Sequence, residues 1–135
     1  SITYMNKLLF KRYPYLNRLI KKITSNNTPD NTTFVYYNTI QTNIQSGTSE
    51  YMDVTIRNVK TNVEIASFTF DYLTMEINIL FADTNDIAMD IMHSFRQVYP
   101  YGRINFNLNK SDEIFTEEDY QEITAKGFKC NLINL

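Results

Sequence analysis

Residues 75–109 decide the fold, because they place a helix pattern between two strand patterns. The outer stretches are Met75-Glu-Ile-Asn-Ile-Leu-Phe81 and Gly102-Arg-Ile-Asn-Phe-Asn-Leu-Asn109, with apolar residues at every second position. From Asp86 to Tyr99 the apolar residues instead recur at helical spacing. This order predicts a βαβ crossover, in which the two strands are parallel neighbours and the helix covers one sheet face. A ligand of such a unit is expected beyond the carboxyl ends of the strands.

The segment before the crossover is predicted to be an antiparallel meander. β-Branched and aromatic residues dominate 33–44, apolar and polar residues alternate over 52–57, and a third strand pattern covers 63–72. In this third strand Val63 and Ile65 lie on the face opposite the other apolar residues, which predicts that both faces are covered at that end. The predicted fold class is therefore α+β, with a mixed sheet in which the meander leads into the crossover.

A well-delimited helix is predicted after the crossover, over about 117–126. Thr116 and Asp119 have the spacing of a capping box, and acidic residues in the first turn suit the positive end of the helix dipole. Gly127 suits the left-handed position that ends many helices. Residues 129–135 are predicted to form a last strand, with an edge position as one alternative.

The composition indicates one domain, covering residues 1–135, with 43% hydrophobic residues available for a core. No apolar run approaches the roughly 20 residues that span a bilayer, and no signal peptide is recognised, so a soluble protein without a membrane partner is expected. The single cysteine, Cys130, cannot form an internal disulfide, which favours an intracellular, cytoplasmic location. The abundance of Asn, Ile, Tyr and Lys indicates an A/T-rich genome, such as that of a virus, phage or mobile element.

The charge is distributed unevenly along the chain. Residues 1–24 contain six basic and no acidic residues, whereas the remaining 7 basic and 15 acidic residues give the rest a charge of −8. Two short helices are predicted there, forming a basic helical hairpin in which Lys11, Arg18 and Lys22 fall near one side. Such a basic arm could bind nucleic acid or an acidic partner. The alternative, which we favour, is a solvated helix face balanced by the acidic body.

Few residues are candidates for chemistry. His93 shares a helix face with Asp86 and Asp90, and a histidine beside a carboxylate can act as a base or bind a metal. The set has too few ligands for zinc, and a solvated helix face is the preferred interpretation. Cys130 is interpreted as a buried structural thiol rather than a nucleophile. No catalytic residue, metal site or cofactor is therefore predicted.

The second crossover strand has an unusual polar face. Its members could line a groove and bind an extended peptide or a nucleotide through amide hydrogen bonds. The alternative, which we favour, is that they form the solvent-exposed face of a one-sided sheet. The candidate binding residues are thus three from the arm and three from this strand: Lys11, Arg18, Lys22, Arg103, Asn105 and Asn107, with Asn109 completing the polar face.

The predicted element order is a short strand, two helices, three antiparallel strands, a helix, a strand, a helix and a final strand. Together with the helix end Ala125-Lys-Gly-Phe-Lys129, this order resembles the GNAT superfamily of N-acetyltransferases over nearly the whole chain. The resemblance implies acetyl-CoA bound by a glycine-rich loop and a tyrosine acid before the Gly-Phe step. The corresponding loop here, 82–88, contains no glycine and two aspartates, and Ile123 occupies the position of the tyrosine.

Three functions follow as hypotheses. The leading one is a small non-catalytic binding protein of viral, phage or mobile-element origin, with GNAT-like architecture and a protein as its partner. The first alternative is an acetyl-CoA-dependent N-acetyltransferase with a degenerate cofactor loop. The second alternative is a nucleic-acid-associated protein that uses the basic arm.

Overall fold

The computed structural model of the protein describes residues 33–43, 49–58, 61–71, 74–99 and 102–135. They form a six-stranded sheet whose strands lie side by side in sequence order. The strands are β1 (Thr33–Asn43), β2 (Ser49–Asn58), β3 (Glu64–Asp71), β4 (Glu76–Ala82), β5 (Asn105–Asn109) and β6 (Asn131–Ile133). Helix α1 (Asn85–Val98) connects β4 to β5, and a 3₁₀ turn (Ser111–Glu113) and helix α2 (Glu117–Ala125) connect β5 to β6.

The sheet is mixed. Strands β1 to β4 pair antiparallel with one another, whereas β5 pairs parallel with both β4 and β6. In the β4–β5 pair Ile77 lies opposite Phe106, and Ile79 lies opposite Leu108. The predicted α+β class, the antiparallel meander and the parallel crossover are confirmed. Strand β6, at the edge of the sheet, is shorter than predicted.

Local sequence explains the limits of α1. The Thr84 side chain accepts a hydrogen bond from the Ile87 backbone N–H at 3.2 Å, and Asp86 lies in the positively polarised first turn. At the other end Tyr99 is extended, with φ −116° and ψ 145°. Pro100 follows it, and a proline disfavours the helical conformation for the preceding residue. The helix therefore begins and ends one residue earlier than predicted.

The core lies between α1 and the sheet face that the alternate residues of β3, β4 and β5 form. The ring of Phe95 on α1 lies 5.5 Å from that of Phe68 and 5.2 Å from that of Phe70. Such aromatic pairs contribute about 0.5–1.5 kcal/mol beyond the area they bury. Phe115, before α2, and Ile123, within it, are also buried in this cluster. The crossover helix is thus fixed over the sheet.

Both predicted ends of α2 are confirmed. The Thr116 hydroxyl accepts from the Asp119 backbone N–H at 3.2 Å, and the Asp119 carboxylate accepts from the Thr116 backbone N–H at 2.8 Å. Gly127 has φ +91°, a left-handed conformation that favours glycine. The Phe128 backbone N–H then donates to the Ile123 carbonyl at 3.3 Å, completing a Schellman motif.

Two expectations about exposure are wrong. Val63 is 61% exposed, because it lies in the turn before β3 begins at Glu64; only Ile65, which is half-buried, packs against the core. The polar face of β5 is not uniformly wet, since Asn107 and Asn109 are only 6% and 7% exposed. Their amides are bonded to neighbouring groups of the sheet.

The predicted basic hairpin at 1–24 lies outside the described residues, and with it Lys11, Arg18 and Lys22. None of the helices that the structure describes is long and apolar enough to cross a membrane. The organisation of residues 1–135 as one domain stays a prediction.

Candidate functional site

A cleft of about 210 Å³ opens where α1 ends and where β5 and β6 begin. The last turn of α1 contributes Arg96, and Tyr99 follows it. The approach to β5 and its first residues contribute Gly102 and 104–106, and the approach to β6 contributes 129–131. The cleft therefore lies at the amino ends of the parallel strands, opposite to the end at which the crossover led us to expect a ligand.

Two local turns bring these residues together. Gly102 adopts φ +85°, which lets the chain reverse from α1 into β5 where an L side chain would be strained. The Schellman turn at Gly127 redirects the chain after α2 and leads residues 129–131 alongside β5. The lining is thus assembled from segments that are distant in sequence.

Arg96 is held in place by two aromatic rings. Its guanidinium carbon lies 5.0 Å from the centre of the Phe128 ring and 5.8 Å from that of Phe106. Both distances are within the range of favourable cation–π contacts. The Nη1 atom also donates to the Gly127 carbonyl oxygen at 3.4 Å. The charged group is therefore fixed beside the cleft.

The lining is basic. Lys129 is exposed and contributes a second cation, and the exposed Arg103 lies in sequence between two lining residues. Among the described residues that line the cleft there is no carboxylate. Burial raises the pKa of the Cys130 thiol to about 11, against the opposing influence of the Arg96 charge. The thiol is buried, as predicted, and its raised pKa favours the protonated form at physiological pH.

The structure separates the predicted binding residues of β5. Asn105 lines the cleft and Arg103 flanks it. Asn107 instead belongs to an amide ladder across three strands: its Nδ2 donates to Asn78 Oδ1 at 2.9 Å, and its Oδ1 accepts from Asn131 Nδ2 at 3.2 Å. The three residues lie opposite one another in the strand register. The Asn107 amide is therefore engaged on both sides within the sheet.

The opposite end of the crossover is acidic. Asn85, the first residue of α1, donates to Asp119 at 3.0 Å and to Glu122 at 3.1 Å. The exposed Asp83 and Asp86 flank it in sequence. The hydrogen bond from the Thr116 backbone, aided by that from Asn85, lowers the pKa of Asp119 below its usual value although burial opposes this effect.

Backbone amides at this acidic end are already used. The Asp83 N–H donates to the Ile65 carbonyl at 2.8 Å, and the Ile87 N–H donates to Thr84 Oγ1. A phosphate placed here would meet the negative charges and find these two donors engaged. The geometry therefore does not resemble an anion-binding helix start.

His93 lies on the exposed face of α1, where its Nε2 is 2.6 Å from the Gln97 amide nitrogen. Burial raises the pKa of Asp90, the Asp86 charge raises it further, and His93 acts in the opposite direction. Within the part of the chain that the structure describes, no three His, Cys, Asp or Glu side chains are grouped so that they could hold a metal ion.

Sequence reasoning missed Arg96, Tyr99 and Lys129 as members of a site. The one local signal for Arg96 is its position in the last turn of α1, where a cation complements the helix dipole. Comparisons of the chain with protein-family models, with curated proteins and with solved structures gave no match.

Proposed function

We propose that this protein is a non-catalytic binding protein with GNAT-like architecture, and that the basic cleft recognises an acidic segment of a partner protein. The observation that carries the proposal is the meeting of Arg96 and Lys129 in a lining without a carboxylate among its described residues. Complementary charge steers a partner to such a surface and suppresses binding of basic competitors.

The size of the cleft favours a peptide over a cofactor. Sites for drug-sized ligands and cofactors usually have volumes of about 300–1,000 Å³. This cleft, of about 210 Å³, is smaller and suits one or two side chains of a larger partner. The Asn105 and Asn131 residues in the lining add amide groups, which can pair with a peptide backbone.

Fluorescence polarisation of labelled peptides tests the proposal. The probes are a decapeptide of alternating Glu and Ser, the same peptide with Gln in place of Glu, and a short DNA duplex. We expect the Glu peptide to bind, the Gln peptide to bind much more weakly, and the affinity for the Glu peptide to fall as salt screens the charges.

Two double variants locate the binding surface. Arg96→Gln with Lys129→Gln removes two charges from the cleft, and Arg18→Gln with Lys22→Gln removes two charges from the basic arm. Loss of Glu-peptide binding in the first variant and retention in the second supports the proposal. The reverse result, or equal affinity for the Glu and Gln peptides, contradicts it.

The two alternatives make different predictions. A nucleic-acid-associated protein would bind the duplex through the basic arm, so that only the Arg18 and Lys22 double variant loses duplex binding. The acetyltransferase alternative rests on the order of the elements, and the acidic contacts around Asn85 weigh against it. The viral, phage or mobile-element origin is proposed from the amino-acid composition.

A further inference from the structure

We infer that the cleft anchors its ligand through a carboxylate joined to an apolar group of residue size, with Arg96 as the anchoring donor. This inference rests on the proposed function and specifies its ligand. The chemistry occurs in two forms in proteins: the last residue of a chain, when it is apolar, and the side chain of a glutamate.

Arg96 has donors available for such an anchor. A guanidinium carries several N–H donors in a rigid fork that matches a carboxylate with two parallel hydrogen bonds. The Gly127 carbonyl, at 3.4 Å from Nη1, is the one hydrogen-bond acceptor that Arg96 has among the described residues. The contacts with Phe128 and Phe106 orient the guanidinium before a ligand binds, which reduces the conformational entropy that is lost on binding.

Part of the wall beside Arg96 is apolar. Tyr99 and Ile104 are half-buried and line the cleft together with Phe106, which is almost fully buried. The neutral thiol of Cys130 adds no negative charge that would repel a carboxylate. A ligand that carries a carboxylate next to a short apolar group could therefore satisfy the cation and cover the exposed part of this wall.

The limited volume and the single positioned guanidinium favour a carboxylate over a larger anion. A phosphate group is usually held by clustered arginines or by a row of free backbone N–H groups. The described lining offers one guanidinium and one lysine in about 210 Å³. These observations fit the monovalent charge of a carboxylate.

Nuclear magnetic resonance titration of the ¹⁵N-labelled protein with small probes tests the inference. The probes are N-acetyl-leucine, N-acetyl-leucinamide and N-acetyl-glutamic acid α-amide. The first mimics an apolar chain end, the second lacks the carboxylate, and the third carries it on a side chain. We expect shifts of the amide signals of Gly102, Asn105 and Asn131 with at least one carboxylate probe, and binding of the leucinamide that is weaker by about tenfold or more.

Substitution of Arg96 by lysine tests whether the paired hydrogen bonds of the guanidinium are needed, or whether a positive charge alone is sufficient. Arg96→Lys keeps a cation but removes the paired hydrogen bonds, so we expect binding of the preferred carboxylate probe to weaken by about tenfold. Lys126→Gln removes a cation that pairs with Glu122 on α2, outside the cleft lining, and should leave probe binding unchanged. A thermal unfolding curve checks that each variant is folded.

The titration with small probes and the Glu-peptide experiment can fail independently of each other. Preference for a carboxylate probe over the leucinamide supports the inference in the unmodified protein, whatever the stability of the Arg96 variant. Binding of the leucinamide that is as strong as that of the better carboxylate probe overturns the inference, as does binding of neither carboxylate probe. If the Glu peptide nevertheless binds through Arg96 and Lys129, the proposed function stands and only the anchoring by a residue-sized carboxylate fails.

Discussion

The guanidinium carbon of Arg96 lies 5.0 Å from the centre of the Phe128 ring, and this contact joins the end of α1 to the turn that follows α2. Phe128 is positioned by its backbone hydrogen bond to Ile123, which belongs to the Schellman motif. The conformation of that turn therefore contributes to the position of the Arg96 guanidinium, together with the contact to Phe106. A feature that ends a helix thus also positions a candidate binding group.

The asparagine ladder should contribute measurably to stability. Asn107 is only 6% exposed. Asn107→Ala leaves the side-chain oxygen of Asn78 without its donor and the side-chain N–H of Asn131 without its acceptor. We expect a loss of about 1–3 kcal/mol in the free energy of unfolding, measured by urea denaturation. Asn105→Ala, at an exposed position of the same strand, should change it by about 0.5 kcal/mol or less. Equal effects of the two substitutions would show that the ladder is energetically unimportant.

The capping box at the start of α2 should give a pH-dependent contribution. Because folding lowers the pKa of Asp119, its stabilising effect is present above the usual value of 3.8 and is lost as the pH falls through the lower folded pKa. Asp119→Asn should reduce stability by about 0.3–1 kcal/mol at neutral pH, and less in acid. Glu118→Gln removes one charge from the same turn and serves as the control. Thermal unfolding at several pH values measures this, and an unchanged acid dependence in Asp119→Asn contradicts it.

Asp90 should have the opposite effect. Burial and the Asp86 charge raise its folded pKa, so its ionised form destabilises the protein above that pKa. Asp90→Asn should therefore increase the free energy of unfolding at pH 7, by about 0.5 kcal/mol or less. The gain should disappear as the pH falls below the usual value of 3.8, where the carboxyl is protonated in both states. Lower stability of Asp90→Asn at pH 7 would show that the carboxylate has a favourable partner.

Acetyl-CoA should bind weakly or not at all. The start of α1 presents Asp83 and Asp86, and Asn85 is bonded to two further acids of α2. Isothermal titration calorimetry of the wild-type protein with acetyl-CoA measures the affinity. A dissociation constant in the low micromolar range or tighter would favour the acetyltransferase alternative. Asp83→Gly with Asp86→Gly removes both negative charges and is the variant in which some affinity could appear.

Periodicity and capping residues were sufficient to predict the crossover and the ends of α2. The alternation around Ile77 and Phe106 depends on which side chains face the core, and that is a local property of the sequence. The Thr116 capping box and the Gly127 turn are likewise formed by residues within a few positions of one another. Local patterns therefore predicted the elements; the ends of α1 and α2 differ by one residue at most, whereas β2 is longer and β6 is shorter than predicted.

The cleft could not be predicted in the same way. Strand β5, the 3₁₀ turn and α2 all lie between Arg96 and Phe128 in the sequence, and no pattern shows that the two side chains meet. The burial of Asn107 was also missed. A polar residue that alternates with apolar residues along a strand gives the same sequence pattern whether its side chain is exposed to water or hydrogen-bonded to another amide. Strand register across β4, β5 and β6 decides between these environments, and it becomes known only with the fold.

Chemical-shift mapping of the bound Glu peptide tests the central claim most directly, because it shows both whether an acidic segment binds and where. The measurement is a titration of the ¹⁵N-labelled protein followed through its backbone amides and arginine side-chain N–H groups. The account predicts that the largest shifts occur at Arg96 Nε, at Gly102 and Asn105, and over 129–131. Largest shifts within the basic arm at 1–24, or no shifts at peptide concentrations in the millimolar range, would contradict it.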